Sequence, residues 1–137
     1  MHDTVEDTDA TFDEIEKIFG SNVRKIVEEV TDDKTLPKLE RKRLQIVHAK
    51  DSSYKAKLVK LADKLYNLRD LQRCTPEKWT TVSYLIDIFF FFNNLTKFQE
   101  RCNEYFIWAK QVVDNLRGTN QILESALDVL FEKQQIL

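Results

Sequence analysis

The sequence predicts an all-α protein, and three observations carry that expectation. Only two of its 137 residues are glycine and two proline, which leaves little material for the tight turns of a sheet protein. Apolar residues recur three and four apart along most of the chain. Strand-like alternation is absent outside one phenylalanine-rich stretch.

The elements follow in order. Thr11-Phe12-Asp13-Glu14 has the form of a capping box, and Phe12, Ile15, Ile18 and Phe19 follow at helical spacing up to Gly20, a natural stop. Ser21 is expected to cap a second helix, with Val23, Ile26, Val27 and Val30 as its apolar side. Thr31 to Pro37 reads as a loop, because proline is tolerated only near the start of the next helix. That helix carries Lys38, Arg41, Lys42 and Arg43, with Leu39 and Leu44 as apolar contacts. The polar stretch from Ile46 to Tyr54 reads as a loop. Lys55 to Leu71 is the strongest helix, striped by Leu58, Leu61, Ala62, Leu65 and Leu68. Thr75-Pro76 then has the form of an N-cap followed by proline at the first helical position. From about Glu100 to Arg117 another helix offers Tyr105, Phe106, Trp108, Val112, Val113 and Leu116 to a core, and Gly118 ends it. Thr119 is expected to cap the last helix, whose stripe is Ile122, Leu123, Ala126, Leu127, Leu130 and Phe131.

Length suits one domain with a real core. Charged residues at 32% against 42% hydrophobic read as soluble and globular. A net charge of -2 gives no electrostatic footprint for duplex nucleic acid. Cys74 and Cys102 form no CxxC pair and suggest a reducing compartment. Without a basic-then-apolar leader the expected compartment is the cytoplasm.

The chemistry concentrates at the start. His2, Asp3, Glu6 and Asp7 place an imidazole and three carboxylates within six positions. On a helix His2 lies over Glu6 and Asp3 over Asp7. Such a set suits a divalent cation of the Mn, Fe or Zn kind and leaves carboxylates to handle a water bound to it. An acidic chain end is also commonly a solvated, frayed one. The basic run around Lys38 reads in two ways as well, as a grip for a phosphorylated ligand or as a solvated helix face. Asp63 and Asn67, four apart, lie off the leucine stripe and face water unless a second layer of helices or a metal covers them.

Residues 81–99 are unusual: four of the nine phenylalanines are consecutive there. The apolar run is far shorter than the roughly 20 residues a bilayer requires, and Asp87 interrupts it, so no membrane span is expected. As a strand it is aggregation-prone. The stretch reads as an insertion, either translated intron or a genuine loop or helix. A valine codon supplies GT near its start, a phenylalanine run suits a pyrimidine tract, and Phe-Gln can close on CAG.

Several blocks together resemble the metazoan SpoT homologues, small stand-alone hydrolases of the RelA/SpoT group within the HD-domain phosphohydrolases. They are His2-Asp3-Thr4-Val5-Glu6-Asp7-Thr8, the stretch from Val27 to Lys34, that from Leu36 to Leu44, Lys57 to Leu68 with its KLADKLYNL core, and Arg117-Gly118-Thr119-Asn120. The HDTVED block followed by KLADKLYNL is the specific part, and the likeness covers nearly the whole chain outside residues 81–99.

The resemblance implies an HD-domain helical bundle. It implies that His2 and Asp3 are the HD pair binding Mn²⁺, with Asp63 as a later ligand, and that Glu6 and Asp7 activate the attacking water. Lys38, Asn67, Arg101 and Tyr105 match positions near the nucleotide. The implied reaction removes the 3′-pyrophosphate of guanosine tetra- or pentaphosphate, and the animal members are also linked to removing phosphate from NADPH. Family members carry a further N-terminal helical region with the first histidine ligand and a basic pair, whereas here Met1 directly precedes the HD pair. His48 matches no family ligand. Residues 1–137 are therefore expected to form a single partial HD domain, incomplete at its N-terminus, from a truncated gene model or an isoform, with weakened metal binding and turnover. The alternatives are a non-catalytic helical module that binds a nucleotide or a partner protein, and a chain that does not fold stably alone.

Overall fold

The computed structural model describes residues 10–73 and 88–134. Among them are six helices and no strand: α1 (Phe12–Phe19), α2 (Ser21–Val30), α3 (Lys38–Ala49), α4 (Tyr54–Arg73), α5 (Ile88–Asp114) and α6 (Gln121–Lys133). The fold is all-α, as expected. No helix among the described residues is long and apolar enough to cross a membrane.

Helix α4 is the hub, packing against α2, α5 and α6; α3 lies along α5, and α1 rests on α2. The leucine stripe supplies its core side. Leu61, Leu65 and Leu68 meet Phe106, Ala109, Val112 and Val113 of α5, with Leu127, Leu130 and Phe131 of α6 closing the cluster. Ala62 of the expected stripe is exposed, so that stripe is narrower than its spacing suggests.

The first cap forms as expected. Glu14 N–H donates to Thr11 Oγ1 at 3.2 Å, and Thr11 N–H donates to the Glu14 carboxylate at 2.8 Å. Gly20, at φ +93°, then turns the chain into α2 without the penalty a Cβ would carry there. The turn is so tight that Gly20 itself occupies the N-cap and Ser21 is already helical, so Ser21 caps nothing. In α1 and α2 the buried contacts are Ile15 and Val27, while Ile18 and Phe19 stay exposed.

The expected loop from Ile46 is corrected: α3 runs on to Ala49. Ala49 is fully buried, Ile46 packs on the core, and the Ile46 carbonyl accepts a hydrogen bond from Asn115 Nδ2 at 2.7 Å. These contacts come from the distant α5 region and outweigh the polar local pattern. Leu39, read as an apolar contact, is 82% exposed in the first turn of α3. Helix α5 begins at Ile88 rather than near Glu100, so the second part of the phenylalanine-rich stretch is helical. Residues 81–87 and the Thr75-Pro76 cap lie outside the described residues.

The last connection also differs from expectation. Thr119 spends its hydroxyl on the Leu116 carbonyl at 2.6 Å, and Asn120 Oδ1 caps α6 by accepting from Leu123 N–H at 3.0 Å. Buried Glu124 accepts N–H bonds from Gly118 and Asn120, both at 2.9 Å. A carboxylate in the first turn of a helix also suits the partial positive charge there. Ile122 faces solvent at 81% exposure instead of joining the stripe.

Candidate active-site cleft

Helix α4 has a second working face. Lys60, Asp63, Lys64 and Asn67 are spaced i, i+3, i+4 and i+7, which places them in one row. That row forms one wall of a cleft of about 470 Å³. The end of α2 and its following loop, α3, and Tyr105 with Trp108 of α5 form the others. The second helical layer that Asp63 and Asn67 needed is therefore present.

Lys64 is the unusual member, a charged residue only 5% exposed. Its Nζ donates to Asp63 Oδ2 at 3.0 Å and lies 4.6 Å from the Trp108 ring centroid. Neighbouring side chains on a helix do not normally face one another, so this contact needs a second support. The indole face supplies it, giving the ammonium another electron-rich neighbour. Trp108 is itself fixed: Nε1 donates to the Lys42 carbonyl at 3.1 Å, its ring meets Tyr105 edge-on at 5.2 Å, and Lys42 Nζ lies 5.2 Å from it.

Across the cleft, Asn67 Nδ2 donates to Tyr105 Oη at 3.3 Å. Burial pushes the Tyr105 phenol above its usual range, and the nearby Asp63 charge adds to this against the opposing Asn67 bond. Tyr105 is therefore a neutral hydrogen-bonding group at neutral pH. The acidic side of the cleft is engaged with protein donors. Glu28 pairs with Arg24, Glu29 accepts from Ser53 N–H, Asp32 accepts from Gln45 Nε2, and Asp33 accepts from Thr35.

Lys60 donates to Ser52 Oγ at 2.9 Å. Burial lowers its pKa below the usual lysine value, Glu29 and Asp32 oppose that shift, and Lys64 adds to it. With the folded value below the unfolded one, the charged form weakens the fold at neutral pH. That penalty fades as pH rises through the folded value toward the unfolded one. Lysine-selective NMR is expected to show Lys60 titrating below a free lysine side chain; a midpoint at or above the free value contradicts this.

Of the residues nominated from the sequence, Asp63, Asn67 and Tyr105 meet in this cleft. Lys38 and Arg101 are exposed and do not line it. His2, Asp3, Glu6 and Asp7 lie outside the described residues, and among the described residues no group of three or more His, Cys, Asp or Glu is placed to hold a metal. Lys60, Lys64 and Trp108 were missed as cleft residues. The first two were legible in principle, sharing the helical row of Asp63 and Asn67. His48 is not in a loop, but in the last turn of α3 and on the cleft wall.

A helical bundle whose central helix carries the aspartate of a KLADKLYNL segment into a cleft defines a class, and a model of the HD-domain family matches residues 1–94. The chain belongs to the HD-domain family. Among curated relatives it is 60% identical over 136 residues to the guanosine-3′,5′-bis(diphosphate) 3′-pyrophosphohydrolase MESH1 of Xenopus tropicalis, covering 99% of this chain and 66% of the relative. The human MESH1 is 59% identical, covering 98% of this chain and 65% of the relative. That of Drosophila melanogaster is 55% identical, covering 100% and 66%. A solved structure, described as a metazoan ortholog of SpoT that hydrolyzes ppGpp, superposes with a TM-score of 0.80 at 55% identity, over 99% of this chain and 66% of that one. The chain thus spans about two thirds of the length of the curated relatives it matches.

Proposed function

We propose that the cleft is the active site of a hydrolase that removes the 3′-pyrophosphate of guanosine 3′,5′-bis(diphosphate), with the cytoplasm as its compartment. One observation carries the reading: Asp63 and Asn67 of α4 line one cleft with Tyr105, which lies far along the chain, and Asn67 is bonded to Tyr105. The relatives named as such pyrophosphohydrolases support the choice of substrate.

An HD-domain hydrolase implies a divalent metal, and Mn²⁺ is the identity proposed here. His2, Asp3 and Asp63 are its proposed ligands. Asp63 fits in chemical type, being an oxygen donor on the cleft wall with Oδ2 oriented by Lys64. When bound, such a cation neutralises phosphate charge and makes a bound water more acidic. Glu6 and Asp7 are assigned to orient the attacking water and take its proton. Water oxygen bonds to the phosphorus attached to O3′, that P–O bond breaks, and O3′ leaves with a proton, giving pyrophosphate and the 3′-hydroxyl nucleotide. Asn67 and Tyr105 hydrogen-bond the nucleoside, and Lys38 and Arg101, exposed outside the cleft lining, are assigned to phosphates that extend beyond it.

The test is pyrophosphate release from guanosine 3′,5′-bis(diphosphate) by the purified chain, with NADPH as the parallel substrate. Turnover is expected to require Mn²⁺, to cease in EDTA and to be lost in Glu6→Ala. NADPH turnover alone moves the substrate assignment. Nucleotide binding that survives EDTA without turnover of either compound makes the chain a non-catalytic module instead.

A further inference from the structure

The cleft is lined by an arginine whose Nε has no acceptor among the described residues. It is Arg41 of α3, and that nitrogen is enclosed. Buried polar nitrogens are nearly always partnered, so one that is not needs an explanation, and an acceptor brought in by a ligand is one. The neighbouring carboxylates do not answer that need. Glu28, Glu29, Asp32 and Asp33 line the same cleft, but Arg24, Ser53, Gln45 and Thr35 are their donors. Lys60 and Lys64 are committed as well, to Ser52 and Asp63.

We propose that Arg41 binds an anionic phosphate group of the ligand that enters the cleft. The proposal rests on the reading that this ligand is phosphorylated, and adds a residue that neither the resemblance nor the relatives assign. The planar guanidinium presents several N–H groups in a fork that matches two oxygens of one phosphate. Arg41 lines the cleft from α3, while Lys60 and Lys64, already engaged by Ser52 and Asp63, line it from α4.

The experiment is isothermal titration of the full chain with inorganic pyrophosphate in EDTA, which removes any metal contribution. Wild-type protein is expected to bind, and Arg41→Gln to bind about 10- to 100-fold more weakly, as loss of a charge-assisted hydrogen-bonded contact predicts. Arg41→Lys keeps the charge but not the fork, so its loss is expected to be intermediate. Arg43→Gln makes the same charge change on the same helix. Arg43 is exposed, pairs with Glu40 and does not line the cleft, so this variant is expected to bind like wild type. Thermal midpoints for each variant separate weakened binding from unfolding. Wild type that ignores pyrophosphate, Arg41→Gln that binds as tightly as wild type, or equal losses in Arg41→Gln and Arg43→Gln each overturn the proposal. Pyrophosphate binding through Arg41 without any turnover of guanosine 3′,5′-bis(diphosphate) keeps it and removes the hydrolase reading. Turnover with an unchanged KM in Arg41→Gln does the reverse.

Discussion

Asp63→Ala is expected to lower pyrophosphate release by at least about 100-fold, because losing a mere outer partner of a metal site already costs 10- to 100-fold. It is also expected to destabilise the fold. The change removes the carboxylate from a lysine ammonium that is only 5% exposed, leaving it the Trp108 face. An unmatched buried donor costs about 1–3 kcal/mol, and more when charged. Asp63 is itself about one fifth exposed, at 22% for its side chain, which places the expected loss inside that range. Asp63→Asn separates the two roles. Its amide oxygen still accepts from Lys64, so urea midpoints should recover toward wild type while turnover stays lost. Full turnover in Asp63→Asn would remove the carboxylate from the chemistry.

Trp108→Ala is expected to be the costliest change to the cleft wall, at about 3 kcal/mol, the lower end for truncating a tryptophan because this ring is only partly buried. The indole joins three parts of the molecule. It bonds the Lys42 carbonyl of α3, packs against Tyr105 of its own helix and lies over Lys64 of α4. Trp108→Phe keeps most of the packing and a weaker ring face but loses the Nε1 bond, so a smaller loss of about 1 kcal/mol is expected. Denaturant unfolding of the two variants measures both values. Equal losses would mean that ring packing contributes nothing here.

What the sequence revealed depended on whether the deciding contact was local. The leucine stripe of α4 was legible because burial on one side of a helix writes itself at a period of 3.6, and Thr11 with Glu14 was legible because both partners of the cap lie three residues apart. Ile46 to Ala49 looked like a loop because their helical state rests on Asn115 and the core, far along the chain. Thr119 and Asn120 are both competent caps, and the choice between them involves a buried carboxylate, Glu124, that binds the amide of Asn120. In the cleft, the roles of Asp63, Asn67 and Tyr105 came from the family resemblance, while spacing had only set Asp63 and Asn67 together off the leucine stripe. Spacing alone would have added Lys60 and Lys64 to the same row. Trp108 read as an ordinary core aromatic, because its role between two ammonium groups exists only once α3, α4 and α5 are packed together.

The most direct measurement is a Mn²⁺ binding isotherm for wild type, His2→Ala, Asp63→Ala and the double variant. If both ends of the chain share one ion, wild type binds a single Mn²⁺ and each single variant weakens it by at least about 10-fold. Groups that ligate a common ion are coupled, so the double variant should fall short of the summed single losses. Asp63→Ala that holds Mn²⁺ as tightly as wild type, while His2→Ala loses it, would contradict a shared site and with it the metal-dependent hydrolase.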